Sequence, residues 1–235
     1  MRIDKYLANM NVGSRKEVHK LIKDGLVTVN GDVVKTPKQK VGDHDEVMVG
    51  DEEIKYQQYH YFLMNKPKGV LSATEDRSQR TVISLLEPQD RYQGITPVGR
   101  LDKDTTGLLL LTNDGQLNHA LLAPNKHVDK VYWAKIAGVA DESTVEKFAT
   151  GMTLGDGTEL KPAQLKILKQ DRENDSSEIK ITISEGKYHQ IKRMFGAEGM
   201  KVVELERLQM GKMTLGDLEQ GEYRELSPEE VENIR

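Results

Sequence analysis

Residues 26–34, Leu-Val-Thr-Val-Asn-Gly-Asp-Val-Val, constrain this chain more than any other stretch. Two apolar runs meet at Asn30-Gly31, the pair of residue types that best tolerates the positive φ angles of a type I′ turn, so a tight β-hairpin is specified. A hairpin this near the N-terminus must bury one face against what precedes it. There, Ile3, Tyr6, Leu7 and Met10 fall at helical spacing, and Gly13 is expected to end that helix. Ser14-Arg15-Lys16-Glu17 reads as a capping box, the Ser14 hydroxyl and the Glu17 carboxylate each satisfying an amide of the other residue. Val18, Leu21 and Ile22 form the buried stripe of a second helix, which Gly25 closes, and Val47 and Val49 supply a closing strand. Residues 1–49 thus predict a small module of two helices and a hairpin.

Charge is unevenly spread. The formal net charge is −4, yet residues 1–40 carry nine Lys/Arg against four acids. Residues 41–60 carry six acids against Lys55, and residues 201–235 carry nine acids against five bases. A local positive field is what attracts a phosphate backbone, so the basic first segment matters more than the sum. The acidic stretch 51–58 reads as a linker, dividing the chain into domains 1–58 and 59–235.

Beyond the linker the pattern changes to strands at 61–65, 107–112, 131–137, 163–169, 178–184 and 202–208, with helices at 116–122, 142–149 and 189–197. This is an α+β domain with a mixed, largely antiparallel sheet. Residues 171–177 (DRENDSS) read as an exposed loop. With 37% hydrophobic and 31% charged residues, the chain has apolar material for a core and the composition of a soluble globule. No apolar run approaches membrane-spanning length, and the N-terminus has no apolar signal region. The absence of cysteine excludes disulfides and thiol chemistry and agrees with a reducing cytoplasm. Six scattered histidines lack metal-ligand spacing, so no metal is expected.

Two segments carry chemistry. In 99–115, GRLDKDTTGLLLLTNDG, basic side chains and the carboxylates of Asp102 and Asp104 sit in a turn before an apolar strand. Reactive groups are often held on such strand-edge loops. Asp102 and Asp104 would point the same way in an extended loop but not in a tight turn. Spacing alone favours plain loop carboxylates, with a glycosidase-like acid pair as a second reading. Asn113-Asp114-Gly115 reads as a turn opening a helix. In 184–195, SEGKYHQIKRMF, Lys187, Lys192 and Arg193 surround a helix start suited to a phosphate or to a carboxylate from elsewhere in the fold, although in isolation an ordinary solvated basic helix start is the favoured reading. His189 reads as a packing or capping residue. Lys66 and Lys68, in the turn 65–69, are placed to touch a phosphate, although the residues alone favour a plain surface turn. Tyr132 and Trp133 alternate faces on a strand, so one of them is available to stack on a base while core packing suits Trp133.

Taken in order, DKYLANMNVGSRKEV, GLVTVNGDVV, FLMNKPKGVLSA, GRLDKDTTGLLLLTNDG, KVYWAKI, ISEGKYHQIKRMF and GEYREL resemble the RsuA-type family of ribosomal RNA pseudouridine synthases over nearly the whole chain. The first two, with GDHDEVMV, resemble an S4 RNA-binding domain. The resemblance implies that Asp102 is the catalytic aspartate, Tyr132 the tyrosine stacked on the target base, and Lys192 the cation paired with the aspartate, a position often held by Arg. It further implies that Leu101 and Ile191 line the pocket, that Arg100 fills the space of the displaced base, and that Lys66 contacts substrate. Arg2, Lys5, Ser14, Arg15, Lys16 and Lys20 would then meet RNA. The expected partner is ribosomal RNA, engaged by a monomer with no membrane and no small-molecule cofactor. DKDTTGL, HQIKRMF and a short C-terminus look more like the small-subunit, 16S rRNA enzyme. A 23S rRNA enzyme of the same family and a non-catalytic S4-type assembly factor are the alternatives.

The chemistry so implied breaks the N1–C1′ bond of uridine, turns the uracil and rejoins it through C5. A carboxylate suits this, since it can attack or stabilise a developing cation at C1′. Attack at C1′, addition to C6 and a glycal route all remain open on this reading. Asp102 must be ionised, so a buried Asp102 requires a nearby cation, which Lys192 would provide. Extruding the base costs a few kcal/mol, which Tyr132 stacking (~1–3 kcal/mol) and Arg100 insertion would offset.

Overall fold

In the computed structural model, which describes residues 1–123 and 128–235, the capping box forms as its residue types require. The Glu17 N–H donates to Ser14 Oγ at 3.3 Å, and the Ser14 N–H donates to Glu17 Oε2 at 2.7 Å. Helices α1 (Ile3–Asn9) and α2 (Arg15–Lys23) result. Gly13 does not end α1. The left-handed residue is Asn11 (φ 55°), a type that tolerates this region, and the Val12 N–H then reaches the Leu7 carbonyl at 3.1 Å. Gly25 (φ 74°) closes α2 in the same way, the Leu26 N–H donating to the Leu21 carbonyl.

Strands β1 (Val27–Val29) and β2 (Asp32–Val33) form the hairpin around Asn30 (φ 52°) and Gly31 (φ 86°). With β3 (Val47–Val49) and β4 (Glu52–Glu53) they make an antiparallel sheet in the order β2-β1-β3-β4. The linker reading of 51–58 therefore needs correction, because its first part pairs with β3 as an edge strand. Ile54 packs on the core, and its carbonyl accepts the Tyr6 hydroxyl at 2.7 Å. Ile3, Leu7, Val18, Val27 and Val47 form the centre of that core. By its contacts this first unit comprises Met1–His60 together with Leu86–Ile95. Asn11 Nδ2 donates to the Gln89 carbonyl (3.0 Å), and the Tyr92 ring stacks on His60 at 3.4 Å. A single cut along the chain misses that returning segment.

The second unit holds Tyr61–Leu85 and Thr96–Arg235. Its strands are β5 (Tyr61–Lys66), β6 (Thr96–Pro97), β7 (Thr106–Thr112), β8 (Lys130–Ala137), β9 (Met152–Thr153), β10 (Glu159–Leu160), β11 (Gln164–Asp171), β12 (Ser176–Ile183), β13 (Lys201–Met210), β14 (Met213–Thr214) and β15 (Tyr223–Glu225). Its helices are α3 (Gly115–Leu122), α4 (Glu142–Ala149), α5 (Gln190–Ala197) and α6 (Pro228–Ile234). The main sheet runs β11-β12-β8-β13-β7-β5-β15, with β14 on β13 and β6 on β7. Its pairing is antiparallel except between β13 and β7, so the expected mixed, mainly antiparallel sheet is present.

Every residue of β7 is buried. Its close approach to β13 depends on Gly107 (φ 105°), where an added Cβ would lie 2.3 Å from the Arg207 carbonyl oxygen. The loop expected at 171–177 is only a tight turn between β11 and β12. Ser177 is a buried strand residue, its hydroxyl bound to the Gly138 carbonyl and the Ala140 N–H. Asp114 caps α3 by accepting the Gln116 and Leu117 N–H groups, as its turn position suggests. Among the described residues no helix is long and apolar enough to cross a membrane.

Candidate active site

The turn between β6 and β7 is held from three sides before any reactive group is considered. The Leu101 N–H donates to Ser72 Oγ (3.0 Å), and the Ser72 hydroxyl donates to the Leu101 carbonyl (2.9 Å). The Thr105 N–H closes on the Asp102 carbonyl (3.0 Å), and the Gly69 N–H reaches the Lys103 carbonyl (2.8 Å). Lys66, at the end of β5, lies beneath with no exposed surface. Its ammonium donates to the carbonyls of Thr105 (2.8 Å), Pro67 (3.1 Å) and Lys103 (3.3 Å). Burial pulls Lys66 down to about 8 against the opposing attraction of Asp104 and Asp102. The expected phosphate contact at Lys66 is therefore corrected: its donors are directed at backbone carbonyls and none reaches solvent.

Helix α5 closes the site from a distant part of the chain. Lys192 Nζ lies 3.0 Å from Asp102 Oδ2 and 2.7 Å from Asp104 Oδ1. The two carboxylates thus converge on one ammonium even though the segment is a turn. Burial opposes the charge on Lys192, but the hydrogen bonds it donates to Asp104 and Asp102 prevail and raise its affinity for the proton. The bond from Lys192 is also the main cause lowering Asp104. Arg193 pairs with Asp156, so Lys192 and Arg193 take carboxylates from elsewhere in the fold, whereas the Lys187 ammonium donates to the Glu159 carbonyl.

Asp102 Oδ1 faces His189, whose Nε2 is 3.4 Å away. His189 sits at the N-terminus of α5 in the left-handed region (φ 46°, ψ 35°) and makes no side-chain cap. Reading it as a cap missed this neighbour, and the only sequence signal was its place three residues before Lys192. Ser72 was missed as well, since nothing local distinguishes a turn-clamping hydroxyl from an ordinary loop residue, and Asp104, paired with Asp102 by spacing, gave no sign that it shares Lys192.

Asp102, Arg100, Leu101, Tyr132, Ile191 and Lys192 line one cavity of about 80 Å³. They come from the β6–β7 turn, β8 and α5, with Leu205 of β13 and Ile183 of β12 completing an apolar wall. Tyr132 is buried and Arg100 exposed, while Trp133 is only part-buried on the opposite face of β8. The arrangement offers a carboxylate, an ammonium, an aromatic face and apolar walls within one small recess.

Residues 60–197 match the RNA pseudouridylate synthase family, more than half of the chain. The chain belongs to the RNA pseudouridylate synthase family. An S4 domain matches residues 1–47 of this pseudouridine synthase. Over 98% of the chain it is 48% identical to the uncharacterized RNA pseudouridine synthase YtzG of Bacillus subtilis, 97% of which is covered. It is 39% identical, over the whole chain and 95% of the relative, to ribosomal large subunit pseudouridine synthase B of Bacillus subtilis. It is likewise 39% identical to ribosomal small subunit pseudouridine synthase A of Yersinia pestis, 98% of which is covered. A crystal structure of a pseudouridylate synthase superimposes with a TM-score of 0.68 at 36% identity, covering both chains fully.

In the first unit, the Arg2 guanidinium is tied to buried Asp4 by bonds of 3.0 and 2.6 Å, and His19 lies 3.3 Å from the same carboxylate. Lys5 on α1, and Arg15, Lys16 and Lys20 on α2, are exposed, as is Ser14, whose hydroxyl oxygen is engaged in the cap.

Proposed function

We propose that the enzyme isomerises a uridine of ribosomal RNA, with Asp102 as the group that acts on the nucleoside. The single observation that supports this most is the Lys192 ammonium on Asp102 Oδ2 inside a recess that also contains Tyr132. Asp102 would meet the ribose or the uracil, Lys192 would balance its charge, and Tyr132 would stack on the extruded base. Arg100 would occupy the gap left in the RNA. Residues 59–235 would carry catalysis, and residues 1–58 would dock RNA through Arg2, Lys5, Ser14, Arg15, Lys16 and Lys20. We favour 16S rRNA because of the DKDTTGL and HQIKRMF segments. The 39% identity to a large-subunit enzyme makes 23S rRNA the second reading.

Tritium release from 5-tritiated, unmodified 16S and 23S transcripts tests both points. Wild-type protein should release tritium from one transcript, and Asp102→Asn from neither, while its affinity for that transcript stays within about twofold. Turnover by Asp102→Asn would remove Asp102 from the chemistry, and release from the 23S transcript alone would overturn the 16S assignment.

A further inference from the structure

Tyr188 leaves 75% of its surface to solvent, more than any other large apolar or aromatic side chain among the described residues. Such a ring costs hydrophobic burial unless something covers it. Its inner face stacks on His189 at 3.8 Å between ring centroids, with 18° between the planes. The edge of His189 in turn meets Asp102 Oδ1 at 3.4 Å. Tyr188 is therefore one ring removed from the carboxylate, stacked on a residue that lines the recess.

The segment that presents it is rigidly bonded. The Lys187 N–H donates to Gln190 Oε1 (3.0 Å), Gln190 Nε2 to Glu185 Oε1 (2.8 Å), and the Gln190 N–H to the Lys187 carbonyl (3.1 Å). Gln190 is itself buried, and Arg193 Nη1 donates to the Tyr188 carbonyl (3.4 Å). A preorganised ring loses little conformational freedom on binding. Exposed aromatics beside cations, here the exposed neighbour Lys187, are the means by which proteins hold unpaired bases.

We propose that Tyr188, supported by His189, is a second base-stacking platform that takes an unpaired RNA base neighbouring the isomerised uridine. Extruding one nucleotide disturbs the stacking of its neighbours, and a flat ring beside the recess would hold one of them. The proposal rests on reading the recess as a uridine pocket. Its test must therefore separate the two.

With the transcript that wild-type protein modifies, Tyr188→Ala should raise KM about tenfold and leave kcat at saturating RNA within about twofold. Tyr188→Phe and Tyr188→Trp should keep the wild-type KM, because they keep the ring. An unchanged KM for Tyr188→Ala, or a fall in kcat without a rise in KM, would overturn the platform. Filter binding to rRNA extracted from cells lacking the protein supplies an arm that needs no turnover. There Tyr188→Ala should bind about tenfold more weakly, and equal affinity would count against the platform. If wild-type protein modifies neither transcript while this loss of affinity persists, the uridine reading fails and the platform stands.

Discussion

Each oxygen of Asp102 has its own neighbour, Lys192 at Oδ2 and His189 at Oδ1. Lys192 is shared with Asp104, so its charge serves two carboxylates at once. Removing it leaves both without their cation. Lys192→Met should lower kcat by about 10- to 100-fold, the scale of a lost hydrogen bond between charged groups, while Lys192→Arg should retain most activity. Equal kcat for Lys192→Met and wild type would exclude the pairing from the chemistry. Lys66 has a consequence at high pH. Its folded value of about 8 lies below the ordinary 10.5. Between these limits the unfolded chain binds the extra proton, so this group makes stability rise with pH across that window. The cost of burying the charge is fully present below about pH 8. Urea midpoints at pH 7.5 and 9.5 should therefore show a gain in wild type that Lys66→Met lacks. Activity should move the other way, since a neutral amine has two N–H donors for three carbonyls and holds the turn less firmly. A kcat profile flat from pH 7 to 9.5 would contradict this.

At the level of elements, the site depends on how one turn is clamped between strands. Ser72 holds both backbone groups of Leu101. Ser72→Ala would leave a buried N–H unsatisfied, at about 1–3 kcal/mol. It should lower Tm and reduce kcat more than KM, because Asp102 is the next residue. An unchanged melting curve would show that water replaces the hydroxyl. Gly107 governs the other side of the turn. Gly107→Ala places a methyl group against the Arg207 backbone in a left-handed conformation, and should cost about 4 kcal/mol or more. Soluble, folded protein with native Tm would refute the close β7–β13 approach. The helix start at α5 contributes by direction: its first turn carries His189 and Lys192 toward the same carboxylate.

For the whole molecule, a net charge of −4 hides a basic first segment that exposes Lys5 on α1 and Arg15, Lys16, Lys20 and Lys23 on α2, with Arg2, Lys35, Lys38 and Lys40 exposed outside these helices. The double variant Lys16→Glu/Lys20→Glu should weaken rRNA binding at least about tenfold and reduce the slope of log affinity against log salt by about 1–2. It should leave kcat at saturating RNA unchanged, and an unaltered salt slope would sink the docking role. These substitutions are cleaner than deleting 1–58, because Leu86–Ile95 belongs to the same unit and would lose its partners. Signals confined to a few residues were legible in the chain itself: the capping box, the Asn-Gly turn and the longer strands and helices. Each depends on local sterics or on residues side by side. Asp102, Tyr132 and Lys192 stand out in the sequence only through the family that the ordered motifs resemble. Only the tertiary structure decided that Asp104 shares Lys192, that His189 faces Asp102 rather than capping its helix, and that Lys66 is buried under the turn instead of meeting solvent. Those contacts join residues up to 88 positions apart, and no local pattern encodes where a long side chain ends once sheet and helix have packed.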